Sequence, residues 1–193
     1  MELEEVLRTE RLILRRWRAA DRELFAMMNA DPKVMEYFPA VLSRAESNTL
    51  VDWVKRHFAE RGFGPSAAEL KHSGEFIGFI GLSVPRFEAA FTPCVEIGWR
   101  LAAEYWGRGL ATEGARAVVE HAFSELALKE IVSFTTVGNS RSRHVMEKLR
   151  MTHDAADDFD HPSLPAGHAL RRHVLYRLRR DSASDKSGVH GTS

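Results

Sequence analysis

The sequence predicts a mixed α/β layer in one domain, and three observations carry that expectation. Segments with a two-residue apolar repeat interleave with segments on a helical repeat, in the order strand, helices, two strands, strand, helix, strand, helix, strand. The 193 residues suit a single domain, against a norm of about 150 residues each. A glycine-rich turn joins a strand to the clearest amphipathic helix, yet without the spacing that a doubly wound nucleotide fold requires.

Taken in order, residues 11–17 set Leu12 and Leu14 against Ile13, Arg15 and Arg16, which reads as a strand. Asp21 then precedes Leu24, Phe25 and Met28, a short helix that Asp31-Pro32 terminates. Ser43-Arg44-Ala45-Glu46 is a capping-box sequence, and behind it Leu50, Trp53, Val54 and Phe58 recur at helical spacing up to Gly62. Residues 63–70 could form a strand that Gly64-Pro65 weakens. Residues 75–84 are nearly continuously apolar and read as a buried strand. Residues 94–101 alternate Val95, Ile97, Trp99 and Leu101 against Glu96, Gly98 and Arg100. After the turn, Ala115, Val118, Val119, Ala122, Phe123 and Leu126 form a helical stripe. Residues 131–137 are β-branched and strand-like, Asn139 caps a helix through Lys148, and residues 172–180 close in strand period. The expected domain runs over 9–180, with an N-terminal extension at 1–8 and a disordered tail at 181–193.

Composition narrows the function classes. Lys plus Arg and Asp plus Glu both count 27, so the formal net charge is zero. That balance argues against nonspecific nucleic-acid binding, which needs a basic field to displace counterions. The uncharged run over 76–85 falls well short of the ~18 residues of a membrane helix, and the acidic start MELEEVL is no secretory signal. A single cysteine, Cys94, cannot pair internally or build a thiolate metal site. Inside a strand, it reads as a small core residue rather than an acyl carrier. The histidines show no metal-ligand spacing, so no metal is expected. By elimination the chain is expected to be cytoplasmic.

The segment Tyr105-Trp106-Gly107-Arg108-Gly109-Leu110-Ala111-Thr112 is the most informative. Two glycines and an alanine ahead of a long helix let consecutive backbone N–H groups approach an anion. The helix N-terminus adds a partial positive charge worth about 0.3–1 kcal/mol per interaction, and Arg108 can add a charged contact. A diphosphate suits such a site. A P-loop is excluded because no Gly-Lys-Ser/Thr follows, and a dinucleotide turn because its third small residue falls at Ala111, one position early.

This turn resembles the coenzyme A turn of the GNAT acetyltransferases, R/Q-x-x-G-x-G/A, with Trp106, Gly109 and Ala111 in its first, fourth and sixth positions. Trp-Gly-Arg-Gly-Leu-Ala-Thr-Glu, the opening Thr9-Glu-Arg-Leu-Ile-Leu-Arg-Arg, and Asn139-x-x-Ser142-x-x-Val145-Met-Glu-Lys148-Leu are similar to the branch that acetylates ribosomal-protein N-termini, the RimJ/RimL type. Trp106 departs from Arg/Gln, and Leu149-Arg150-Met151 departs from the Gly-Phe that commonly closes the helix. The resemblance implies a mostly antiparallel central sheet splayed at the cofactor strands, with helices on both faces, and acetyl-CoA as cofactor. It implies N-acetyl transfer to a primary amine, either a protein N-terminal α-amine or a small amine, in a monomer or homodimer. The alternative is a CoA-binding sensor on the same fold without catalysis, and a longer acyl donor stays open.

The resemblance further implies that backbone groups of Trp99, Arg100 and Leu101 face the thioester, and that residues 106–112 and Asn139 hold the cofactor. It places Ser142 near the sulfur as proton donor. Glu96 falls where relatives carry a general-base glutamate acting through water; the competing reading is a carboxylate paired to an arginine or facing solvent. Asn139 and Ser142 also read as an N-cap and a first-turn hydroxyl. Asp160 and His161, in the acidic segment 154–161, could bind or deprotonate a cationic amine, or belong to a solvated loop. The acceptor pocket is expected from the first two helices and loops 85–93 and 152–168.

Overall fold

The computed structural model describes residues 5–180. The expected tail at 181–193 and the first four residues of the expected extension lie outside them. Residues 5–8 are not an extension: they form strand β1 (Glu5–Arg8), paired antiparallel with β2 (Leu12–Arg15). Val6 and Leu7 pack against opposite core clusters, which gives this edge strand an apolar anchor on each side.

Among the described residues nine strands form one mixed sheet in the order β1-β2-β3-β4-β5-β6-β9-β7, with β8 against β9. The remaining strands are β3 (Pro65–Leu70), β4 (Phe76–Ser83), β5 (Glu96–Leu101), β6 (Glu130–Thr136), β7 (Thr152–His153), β8 (Phe159–Asp160) and β9 (Arg172–Arg179). Every pairing is antiparallel except β5 with β6. Gly64-Pro65 does not weaken its strand. Pro65 opens β3, where a missing N–H is tolerated, and all six residues of the strand are buried. Cys94 lies just ahead of β5 rather than within it.

Helices α1 (Asp21–Ala30) and α2 (Arg44–Arg61) cover one face of the sheet, and α3 (Leu110–Ser124) and α4 (Ser140–Lys148) cover the other. The capping box at Ser43 and Glu46 is present, and Gly62 closes α2 in the left-handed region. Alternation decides which side chain serves which face. Leu12, Leu14, Ala68, Leu70, Ile97 and Leu101 meet Leu110, Ala115, Val118 and Ala122 of α3. On the opposite face Trp17, Phe25, Phe76 and Phe79 pack with Val51, Val54 and Phe58 of α2. There Arg15, 2% exposed, gives both Nη atoms to Asp21 at 2.7 and 2.8 Å and Nε to Glu69 at 2.7 Å. Breaking such a buried pair by removing one partner costs about 3–5 kcal/mol, so it pins the start of α1 to the sheet.

The register of β4 slips where Ala68 faces Gly78 and Glu69 faces Phe76. This bulge puts Phe76 and Phe79 on one face and Ile77 and Ile80 on the other. Gly78 carries it at φ 134°, and a Cβ there would lie 2.1 Å from the Arg100 carbonyl oxygen, so only glycine fits.

Candidate active site

The glycine turn has the geometry its residues dictate. Gly107 and Gly109 adopt φ of 72° and 77°, with Gly109 as the N-cap of α3. The first intrahelical bond runs from Glu113 N–H to the Gly109 carbonyl. The preceding N–H groups of the first turn therefore have no helical acceptor and point outward together. That cradle, with room beside Gly107 for a bulky group, fits the diphosphate of coenzyme A.

The opening motif explains its own presence. Glu113, in the first turn of α3, accepts from Thr9 Oγ1 at 2.6 Å, from the Arg11 backbone N–H at 2.8 Å and from Arg11 Nε at 2.6 Å. Arg11 Nη1 then donates to the Arg108 carbonyl at 3.0 Å. Thr9-Glu10-Arg11 thus braces the turn from outside. Burial pushes the Glu113 carboxyl up, but the bonds from Thr9 and Arg11 outweigh it and hold it below the ordinary carboxylate range.

Strands β5 and β6 are joined at one register point, Glu96 opposite Val132, with Val132 N–H on the Val95 carbonyl. One residue further the bridge is a side chain, Ser133 Oγ donating to the Ile97 carbonyl at 2.9 Å. Beyond it the strands part and a cleft of about 810 Å³ opens. The carbonyls of Val95, Ile97 and Leu101 turn toward this side, the last accepting from Trp106 Nε1 at 2.8 Å. By the two-residue repeat, the Trp99 N–H opens into the cleft, while backbone groups of Arg100 turn toward β4. Arg100 is thus placed differently from expectation: its main chain serves the sheet, and its side chain lies on the α1 face.

Glu96 lines the cleft, held by one hydrogen bond from Ser83 Oγ at 3.4 Å. Burial raises its carboxyl to about 8, against a small opposing effect of Ser83. Of the competing reading, a carboxylate paired to an arginine or facing solvent, the pairing finds no counterpart among the described ion pairs, and the half-buried side chain faces the cleft rather than the open surface. Asn139 caps α4: its Oδ1 accepts from Ser142 N–H, and its Nδ2 donates to Thr135 Oγ1 at 2.9 Å and to Ser142 Oγ at 3.1 Å. Because Ser142 Oγ accepts that bond, its proton is free to donate into the cleft it lines. Gly107, Gly109, Leu110, Ala111, Thr112 and Trp106 line the same cleft. Trp106 also lies under the Arg141 guanidinium, 4.6 Å from its ring, which ties the turn to α4.

His161 lines the cleft and Asp160 does not. The Asp160 carboxylate is held outside by Arg171 Nε at 3.3 Å and Arg172 Nη1 at 3.5 Å. His173, which periodicity alone did not mark, joins His161 at 5.1 Å between ring centroids, beside Phe87, Phe134 and Phe159. Burial lowers both imidazole pKa values, and His173 lowers that of His161 further, so both are neutral near pH 7. Cys94 is raised to about 11, first by burial and then by Glu96, and stays a thiol. Among the described residues no cluster of His, Cys, Asp and Glu could hold a metal, and no helix is long and apolar enough to cross a membrane.

Residues 11–152 match the family described as Acetyltransferase (GNAT) domain. The chain belongs to the GNAT acetyltransferase family. It is 33% identical over 154 residues to the uncharacterized protein YkkB of Bacillus subtilis, covering 78% of this chain and 87% of that one. It is 32% identical over 160 residues to the FsC-acetyl coenzyme A-N(2)-transacetylase of Aspergillus fumigatus, covering 79% and 67%. The crystal structure of an acetyltransferase from Agrobacterium tumefaciens superposes with a TM-score of 0.72 at 28% identity, over 90% of this chain and 94% of that one. This GNAT chain is accordingly an N-acetyltransferase, and its cofactor is acetyl-CoA. The cradle at 107–112 and the gap between β5 and β6 are the features that fit it.

Proposed function

We propose that the protein acetylates a primary α-amine by direct attack in a ternary complex, with Glu96 as the base. The observation that carries this reading is the place of Glu96, lining the cleft at the register point beyond which β5 and β6 part, and burial there raises its carboxyl to about 8. An unperturbed α-amine has a pKa of about 8 and a lysine about 10.4. Proton transfer from an α-ammonium to Glu96 is therefore nearly balanced, while from lysine it is uphill.

Acetyl-CoA supplies the activated acetyl group. Around it the chain's residues divide the work. The turn at 107–112 holds the diphosphate, and the Trp99 N–H offers a donor to the acetyl carbonyl oxygen as charge develops there. Glu96 takes a proton from the acceptor nitrogen through water, Ser142 gives one to the departing sulfur, and water restores the serine hydroxyl as Glu96 releases its proton to solvent. His161 and His173, neutral and lining the cleft, can relay protons along it. Cys94, a thiol before β5, supports transfer without an acyl-enzyme. The motifs shared with the RimJ/RimL branch support a cytoplasmic enzyme acting on peptide-like α-amines, as monomer or homodimer. Asp160, outside the cleft, is left out of the chemistry.

The test is thiol release from acetyl-CoA with glycyl peptides between pH 6 and 10. Because Glu96 works only when ionised, wild-type kcat/KM should climb as pH rises through about 8. Glu96→Gln should lower it by about 100-fold at pH 7, with the gap narrowing at high pH as the free amine accumulates. A wild-type rate and profile in the variant would remove Glu96 from the mechanism. CoA binding without transfer to any amine would instead favour a sensor.

A further inference from the structure

Arg100 is a cation in an apolar setting, and among the described residues no carboxylate answers it. Its Nη1 donates to Asn29 Oδ1 at 2.7 Å, and Asn29, fully buried, is oriented in turn by its own bond to Ser47 Oγ at 2.9 Å. The guanidinium lies 4.1 Å from the centroid of Phe38 and 5.7 Å from that of Phe79. Its Nε is buried without an acceptor, and it lines the cleft. Burial alone lowers its pKa, to about 10, with no nearby acid contributing. An uncompensated charge in such a place is costly, whereas the same group facing a bound anion is not.

Glu96 and Arg100 share one face of β5, four residues apart, so their Cα atoms are separated by about 13 Å. Once both side chains reach inward, the remaining gap suits a dipeptide, which spans about 7 Å extended. We infer that Arg100 is the acceptor's anchor: it receives a carboxylate on the same molecule whose amine lies at Glu96. The acceptor class is then a short peptide or amino acid with a free carboxylate, seated against Tyr37, Phe38 and Trp53 at the cleft wall. The planar fork of Arg100 matches a carboxylate, and a single cation balances its single charge, where a phosphate would bring nearly two. This assignment rests on the acetyl-transfer reading of the cleft and names its substrate class.

Glycyl-L-leucine and glycyl-L-leucinamide carry the same α-amine and differ only in carboxylate against carboxamide. Wild-type kcat/KM should favour the acid by about 30-fold, the size of one charge-assisted contact. In Arg100→Gln that ratio should collapse to within about 3-fold of one, mostly through KM, while Arg100→Lys retains part of it because charge survives and the fork does not. A CoA-induced rise in Tm in each variant certifies that the fold persists. Equal rates on the two peptides in wild type, or a ratio that survives Arg100→Gln, overturns the assignment and leaves acetyl transfer standing. Preference for phosphoethanolamine over glycyl-L-leucine overturns the carboxylate. If neither peptide is acetylated, calorimetry of CoA-loaded protein with N-acetylglycyl-L-leucine decides. Arg100-dependent binding upholds the anchor although the transfer reading has failed, and no binding ends it.

Discussion

Glu113→Gln tests whether the first strand-turn motif braces the glycine turn. The carboxylate accepts three bonds, two on Oε1 from Thr9 and the Arg11 N–H and one on Oε2 from Arg11 Nε. Glutamine can keep its oxygen toward the first two, at about half the strength of the charged bonds. Its NH₂ then confronts the Arg11 Nε–H, donor against donor. A charge-assisted bond contributes about 1.5–3 kcal/mol, discounted here because the Arg11 side chain is 46% exposed. The sum is about 2 kcal/mol, or about 4–8 °C in Tm for a chain of this size. Thermal and urea melts at pH 7 measure it. The Glu113 carboxyl is held below its ordinary range, so its contribution is present above that range and lost as pH falls through the lowered value. The gap between wild type and variant should therefore close in acid, and shrink by about half in an Arg11→Ala background. A variant that melts with wild type at pH 7, or a penalty indifferent to pH and to Arg11, would refute the brace.

Two further substitutions probe backbone conformation. Gly109→Glu forces a side chain into φ 77° and sets a carboxylate at the mouth of the N–H cradle, so the Kd for CoA should rise at least about 10-fold by calorimetry; unchanged affinity would move the diphosphate elsewhere. Arg150 holds φ 62° after α4, where Arg150 N–H bonds the Glu147 carbonyl and Met151 N–H bonds that of Met146. Arg150→Gly should raise stability by about 1 kcal/mol by removing left-handed strain; no gain in a urea melt would show that the arginine is compensated there.

Much of the fold was legible because local signals agreed with tertiary demand. The Ser43 box, the Gly62 stop and the stripe from Ala115 to Ala122 each had one reading, and the structure keeps them. Arg150 shows how a departure can be legible too: the family's glycine is missing at 150, but the left-handed turn it would make is not. Residues 5–8 were misread because a four-residue edge strand is too short for periodicity to register. The bulge at Gly78 was invisible for a different reason, since it depends on the approach of the Arg100 backbone from another strand. In the site, the glycine turn announced itself through spacing. His173 and Arg100 did not, because their roles come from what surrounds them: one meets His161 across a loop, and the other lacks the acid that a surface arginine would find. Asp160 looked equivalent to His161 in sequence, yet Arg171 and Arg172 hold Asp160 at the end of β8 outside the cleft, while His161, just past the strand, lines it.

The alternation of β5 has a consequence for how this enzyme can change. Its odd residues, Ile97 and Leu101, pack beneath α3, while its even residues, Glu96 and Arg100, look out under α1 and α2. A single six-residue ribbon thus keeps two vocabularies apart, and on the proposed reading a change at Arg100 redirects the enzyme to another amine while Glu96 and the glycine turn stay as they are.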